Sequence, residues 1–339
     1  MSSNEQWRCP AGDQGSILIL ALWVIFMLAM LAVAVGAHID GRLALARRIE
    51  QRTVGYAAAR VGMERGIAQL LQDTNAWDGP GETWTDSPSA FSNVVSGAGV
   101  FSLYYVVERS GGGSNVIYGL QDEQSKIDLN QARIELITAL LEVAGGMSPE
   151  ASARLGETIK VARTRLVDKF PGIGRQSGWA DPQSEPGPLK SIYELRWVKG
   201  LSEDVFEKIQ PYVTVYGKDR VNLNSAGQVV LQCMGMRAGS GGAKVAQNLA
   251  RKILQFRERG GIFKSYHGDA LAEVMGEEIK LTDDERRLLS GMKSYVTVAS
   301  DHFSGHSEGW MASGSTGQRR RLDFVWDRKE RKFEFWHED

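Results

Sequence analysis

Cysteine, proline and surplus charge are all scarce in this chain, and each scarcity closes a class of explanation. Its 339 residues hold two cysteines, Cys9 and Cys233, far apart in sequence. They make neither a disulfide framework nor a zinc spacing. Cys9 lies before the one long apolar run, whereas a lipoprotein signal places its cysteine after such a run. Cys233 reads as a small buried hydrophobe. The 40 basic and 41 acidic side chains leave a formal charge of −1, so no strong field recruits nucleic acid or an acidic substrate. Enzyme signatures are missing: no H-E-x-x-H, G-x-S-x-G or Walker motif occurs. Gly239-Ser240-Gly241-Gly242-Ala243-Lys244 lacks the glycine before lysine and the Ser/Thr after it that a phosphate loop needs. Nothing points to an enzyme.

No proline occurs between Pro10 and Pro80, and inside that window stands an uncharged apolar run, Ser16 to Ala37 (SILILALWVIFMLAMLAVAVGA). As a helix it is roughly 33 Å long, enough to cross a bilayer core of about 30 Å. A secretory signal has a basic start, an apolar stretch of about 7–15 residues and a small-residue cleavage site after it. Here the run is too long, residues 1–15 mix Arg8 with Glu5 and Asp13, and no A-x-A site precedes His38, Asp40 and Arg42. One reading is a single-pass anchor. The other puts a processing site before the run, at Gly15–Ser16, so that the helix is retained.

The helical pattern continues beyond the bilayer length. Leu45, Ile49, Val54, Ala58, Val61, Ile67, Leu70 and Leu71 recur at spacings near three and four, with Arg47, Arg48, Arg52, Arg60 and Arg65 mostly between them. A continuous helix over 16–72 would be about 85 Å long. Its first half suits lipid and its second half suits the face of a sheet. Gly36, Gly41, Gly55, Gly62 and Gly66 weaken it by up to about 1 kcal/mol each against alanine.

Asp73 to Gly99 is rich in Gly, Pro and Asp and reads as loop. Val100–Arg109 and Val116–Leu120 read as a hairpin joined through Gly111-Gly112-Gly113-Ser114-Asn115. Ser294–Ala299, Arg319–Asp327 and Arg331–His337 read as strands, with Leu322, Phe324 and Trp326 on one face and Phe333 and Phe335 on another. Between these β regions the chain reads as mostly helical and contains an internal echo. Ile127-Asp128-Leu129-Asn130-Gln131-Ala132 is matched by Val221-Asn222-Leu223-Asn224-Ser225-Ala226. Helix starts at Ser202-Glu203-Asp204 and Thr282-Asp283-Asp284 follow, and each copy closes on Tyr-Val-Thr-Val, at 212–215 and 295–298. A shared order of three elements indicates duplication. The implied organisation is α+β: a leader over 1–15, a membrane and stalk helix over 16–72, a small α/β domain from 73–121 and 291–339, and an all-α domain over 122–290 with two related halves inserted in the sheet.

The cut before a retained apolar helix resembles the type IV pilins and type II secretion pseudopilins. By that resemblance a prepilin peptidase cleaves after Gly15, and Ser16 becomes the mature, methylated N-terminus. Family members normally carry glutamate at the fifth mature position, where this chain has Leu20. A carboxylate in hydrocarbon costs about 2.5–3.5 kcal/mol and is kept in the family to face a neighbour's N-terminal amine. Leucine there, the segment Asp122–Asn130 (DEQSKIDLN) and the doubled L-N-x-A motif resemble the minor pseudopilins called general secretion pathway protein K. The resemblance covers nearly the whole chain. It implies a single-pass protein of the bacterial inner membrane with its soluble domains in the periplasm. It also implies minor pseudopilins I and J as partners, and a place in the tip complex that initiates and caps the pseudopilus.

Three other chemistries stand beside that reading. Lys199-Gly200-Leu201-Ser202 ahead of a helix, and Phe170-Pro171-Gly172-Ile173-Gly174, resemble helix-hairpin-helix turns, which in DNA-binding proteins aim N–H groups at phosphates. A membrane-anchored DNA receptor of the competence type is therefore the alternative, although without a basic stripe no nucleic acid is expected. His302 and His306 have the spacing of a helical zinc pair, but Ser-Gly between them reads as loop. Calcium wants convergent carboxylate and carbonyl oxygens from loops. Asp73, Asn75, Asp78 and Glu82 fall in one loop, Asp301 and Glu308 in another, and the family resemblance implies calcium in the small domain. Arg42 and the arginines after it favour a cytoplasmic flank by positive-inside counting. Arginines on a helix packed against its own domain need not follow that count. A single-pass scaffold is the plainest reading.

Overall fold

The computed structural model describes residues 14–108, 113–169, 188–239, 241–267, 270–312 and 319–339. Most of the leader (1–13, with Cys9), the Phe170–Gly174 turn, Ser240 and the tip of the first hairpin lie outside them. Helix α1 is unbroken over Gln14–Gln72. After it come a four-residue helix, α2 (Pro88–Phe91), and the strands β1 (Val94–Ser96) and β2 (Gly99–Glu108). Asp73–Gly99 is thus not all loop. β3 (Ser114–Ile117) and the two-residue β4 (Gln121–Asp122) complete the N-terminal part of the sheet. The C-terminal part is β9 (His302–Met311), β10 (Arg320–Asp327) and β11 (Lys332–Glu338). The sheet is antiparallel in the order β1-β2-β9-β10-β11, with β3 on β2 and β4 on β9.

The residues of α1 that meet the sheet are small. Gly55, Ala58, Ala59, Gly62, Met63, Gly66, Ile67 and Leu70 are buried at helical spacing, while Val61, Leu71, Leu45 and Ile49 are exposed. Three of the glycines counted against helix stability lie in this contact: Gly55 meets the β9 backbone, and Gly62 and Gly66 leave room for the side chains of Phe101, Ser307 and Leu103, whereas Gly36 and Gly41 meet nothing. A Cβ on Gly309 of β9 would stand 2.1 Å from the Gly55 carbonyl oxygen and 2.3 Å from the Ala59 nitrogen. Ser307 of β9 donates its hydroxyl to the Ala59 carbonyl at 2.6 Å. β9 was expected as loop because its inward positions, Phe303, Gly305, Ser307 and Gly309, are mostly small. Ser307 and Gly309 are small because the helix lies on them, and Gly305 because Leu103, Leu120 and Phe324 fill the space beside it. Below this contact Met63, Ile67 and Leu70 close a core with Trp84, Phe91, Leu103, Phe303 and Phe324.

The inserted helical region lies between β4 and β9, and its two halves repeat down to single hydrogen bonds. In the first, β5 (Ile127–Asp128) pairs in parallel with β6 (Val213–Thr214); in the second, β7 (Val221–Asn222) pairs in parallel with β8 (Val296–Thr297). Ser294–Ala299 therefore belongs to the insert and not to the main sheet, and a 3-10 turn, Met292–Ser294, leads into it. Asn130 and Asn224, the asparagines of the two L-N-x-A motifs, each clasp a later strand-like segment. Asn130 accepts from Leu189 N at 2.8 Å and donates to its carbonyl at 3.0 Å; Asn224 does the same with Phe263 at 2.9 Å both ways. Arg163 donates to the Ala132 carbonyl and Arg257 to the Ala226 carbonyl, each from 31 residues downstream. The halves meet where α3 (Ile134–Val143) packs on helix Gln228–Ala238, and one core runs through both. Cys233 is buried in it, and burial raises its thiol pKa.

The contact of α1 with β9 predicts an asymmetric pair of substitutions. Gly309→Ala lowers the thermal stability of the detergent-solubilised full chain by about 1–3 kcal/mol, the range for overpacking. Gly36→Ala, whose Cβ would meet nothing within 4 Å, does not lower it and raises it by up to about 1 kcal/mol. Circular dichroism melting checks both.

Candidate assembly helix and domain junction

α1 divides into a covered and an uncovered part. From Ile17 to Arg48 every side chain is exposed to whatever surrounds the helix, and Leu20 is 66% exposed. Among the described residues α1 is the one helix long and apolar enough to cross a membrane. The described helix starts at Gln14, so Gly15 and Ser16 fall in its first turn. Between the apolar run and the sheet lies a neck over residues 38–53, about 24 Å long. It bears Ile39, Leu43, Leu45 and Ile49 as exposed apolar groups, together with Arg42, Arg47, Arg48 and Arg52. The neck is not packed on the chain's own sheet. The reason for setting the positive-inside count aside thus applies to Arg60 and Arg65 and not to these four.

Where the sheet meets the insert, a buried polar hub joins five segments distant in sequence. Arg328, in the β10–β11 turn, donates to both oxygens of Asp78 at 2.8 and 2.7 Å. Ser300 N donates to Asp78 at 2.6 Å. The Asn222 amide donates to the Asp78 carbonyl, the Asp122 carboxylate and the Ser300 hydroxyl at 2.9–3.0 Å. Asp122 also accepts from Ser225, Ser300 and Gln124 N. Burial pushes the Asp78 carboxyl up, against the pull of Arg328. Asp122 has donors but no cation, and burial raises its pKa to about 6. Beside it Glu123 is also buried, but Lys126 at 2.8 Å and the hydroxyls of Ser304 and Thr214 outweigh desolvation and hold its carboxyl below the ordinary range.

The acidic residues singled out for calcium are only partly brought together. Asp73, Asp78 and Glu82 place carboxylate oxygens within 4.8 Å of one another. Asn75 bridges them, its N–H on Asp73 at 3.0 Å and its side-chain amide on Glu82 at 2.7 Å. Among the described residues Asp73 Oδ2 is buried without a hydrogen-bond partner, 3.8 Å from Arg328, and burial raises the Glu82 carboxyl. This hard-oxygen set fits a cation of the calcium class at Asp73 and Glu82: both oxygens of Asp78 are engaged by the Arg328 cation, whereas those of Glu82 accept only from neutral donors, Asn75 and Gly79 N, the latter at 2.9 Å. The other two candidates are corrected. Asp301 turns its carboxylate to Lys218. Glu308 accepts from Tyr104 at 2.6 Å and from Arg319 at 3.0 Å. The pair His302 and His306 shares one face of β9, where residues four apart stand about 13 Å from each other, too far to share an ion. His306 instead meets Asp323 at 2.7 Å. The Lys199–Ser202 turn is built as a tight helix entry: Gly200 has φ +97°, and Ser202 caps helix Glu203–Ile209 through Val205 N. Arg163 and Arg257 were missed by the sequence reading; their signal is the shared spacing of 31 residues from the motif alanines.

No protein-family model and no curated protein matches this sequence. The architecture, a long helix laid on an antiparallel sheet with a helical block inserted, is the α+β fold of pseudopilins. It is similar to a chain in the crystal structure of the GspK-GspI-GspJ complex from the type 2 secretion system of enterotoxigenic Escherichia coli, with a TM-score of 0.53 over 89% of this chain and 99% of that one. At 13% identity the likeness is one of fold.

The hub makes stability depend on pH with a defined sign. Asp122 binds its proton more tightly in the folded chain than in the unfolded one. Its contribution is therefore full below about pH 4 and is lost as pH rises towards 6. Asp122→Asn should remove a fall of order 2–3 kcal/mol across that window. Urea unfolding of both proteins at a series of pH values checks the difference.

Proposed function

We propose that this chain is a minor pseudopilin of a type II protein secretion system, of the K type, working by assembly and not by catalysis. The observation that carries the reading is α1: one helix fixed to its own sheet over its last third and bare over residues 17–48. The bare part suits two surroundings, lipid over the apolar run and sister helices along the neck. In this reading the bilayer holds the subunit by residues 16–37 until the Ile17–Leu71 helix packs beside those of minor pseudopilins I and J. The soluble domains lie in the periplasm and the insert covers the top of the complex. Leu20 offers no carboxylate to a neighbour's N-terminal amine, so the subunit starts and caps a filament and is not extended above. The fold of the GspK-GspI-GspJ complex chain supports the same reading.

Two tests follow from it. A prepilin peptidase should remove residues 1–15 and leave a methylated Ser16, so the intact mass of the membrane-extracted protein should begin there. Gly15→Leu should leave the leader attached; leader removal from that variant would refute the processing step. Calcium, in the same proposal, is held in the small domain by Asp73, whose contact with Arg328 is long at 3.8 Å, and by Glu82, where it would add to the neutralisation of the loop carboxylates. At about 100 times its Kd, calcium should stabilise the full chain by about 2.7 kcal/mol. Asp73→Asn should abolish that gain, as read by melting with and without chelator.

A further inference from the structure

We propose that His302, Asp327 and Glu334 form a binding site for a zinc-class divalent metal ion, separate from the Asp73 loop, at the edge where the last three strands meet the insert. His302 opens β9 and lies directly opposite Asp327 at the end of β10. Glu334 comes from β11 at an irregularity: Val325 pairs with Phe335 and Trp326 with Phe333, so Glu334 is the extra residue of a bulge. Bulges re-aim side chains beside functional sites. Here the result is one imidazole nitrogen and two carboxylate oxygens mutually within 4.8 Å.

The donors are arranged as ligands and not as hydrogen-bond partners. His302 Nε2 stands 3.6 Å from Asp327 Oδ2, too far for a hydrogen bond. Two atoms that each bind zinc at about 2.0–2.1 Å in tetrahedral geometry are about 3.4 Å apart. The other ring nitrogen, Nδ1, is buried with no hydrogen-bond partner among the described residues, in a side chain only 12% exposed. The Asp327 carboxylate is held in place from behind. Its Oδ1 accepts from Lys329 N and Glu330 N at 2.8 and 2.9 Å, which leaves Oδ2 to face His302. Glu334 is exposed and bears Lys332 at 3.0 Å, so it is the third ligand at the mouth of the site, and water takes the fourth position. Imidazole with two carboxylates selects a borderline metal over calcium or magnesium, which prefer all-oxygen shells. Bound there, the ion ties β11 to β9 and β10 beside the contact of Tyr216, from the insert, with Phe335 of β11.

The test is zinc titration against a competing chelator, using the full chain in detergent without a histidine tag, after metal removal. One equivalent should bind. Glu334→Gln, at an exposed position that does not threaten folding, should weaken binding at least roughly 10-fold, and His302→Asn should abolish it. Asp73→Asn should leave it unchanged. Absence of zinc binding by the folded chain, equal affinity in Glu334→Gln, or loss of zinc with Asp73→Asn would each overturn the assignment.

Discussion

Backbone-to-backbone contact between α1 and β9 is the constraint on which the molecule depends. Gly55, Ala58, Ala59 and Gly62 on the helix face Ser307 and Gly309 on the strand, and no larger side chain fits between Gly309 and Gly55. The contact fixes the last third of a 59-residue helix rigidly on the sheet. Everything upstream must then project from the folded body as a stalk. A stalk with that composition is unstable in water, because burial of apolar area is the main favourable term in folding and this surface has no partner within the chain. The helix thus has two parts, one covered by its own sheet and one whose apolar surface is uncovered; the proposed reading gives the second part lipid and neighbouring helices. That division of one element is what assembly from a membrane requires.

The second constraint is polar. The insert enters and leaves the sheet between β4 and β9, and the seam is held by Asp78, Asp122, Asn222, Ser300 and Arg328. Buried groups of this kind are costly unless satisfied, and the carboxylates here are mostly satisfied by donors from both sides of the seam. Such a hub sets geometry more than it adds stability. It ties α1, through the loop that follows it, to the insert on top. The duplicated halves of the insert use one device twice: an asparagine that clasps a later segment, and an arginine that closes the turn after it.

What the sequence made legible, and what it hid, follows from where the signal lies. The apolar run and its helical continuation were readable because hydropathy and period carry them, and β10 because Leu322, Phe324 and Trp326 alternate. The duplication was readable from L-N-x-A and Tyr-Val-Thr-Val. The face of α1 was legible at Ala58, Ile67 and Leu70, which are buried in it, and misread at Leu45, Ile49, Val61 and Leu71, because glycine and alanine carry little hydropathy and these larger residues stood out in their place. β9 was hidden for the same reason, its inward residues being mostly small. The carboxylates of Asp301 and Glu308 lay beyond reach because their partners, Lys218, Tyr104 and Arg319, come from other strands and loops. The loop acids Asp73, Asp78 and Glu82 did come together, being local in sequence, but the arginine that engages Asp78 comes from 250 residues away.

In the proposed reading, a helix with a bare apolar run, a sheet and a bulky insert joined by a polar seam suit the end of a filament, where a large head has room and nothing need be added above it. The most direct measurement is co-purification of this chain from membranes of cells that co-produce the I and J minor pseudopilins of its own secretion system. The account predicts a complex containing one copy of each, which is lost when residues 16–37 are replaced by an unrelated membrane helix. Recovery of this chain alone, or as a homopolymer, would contradict it.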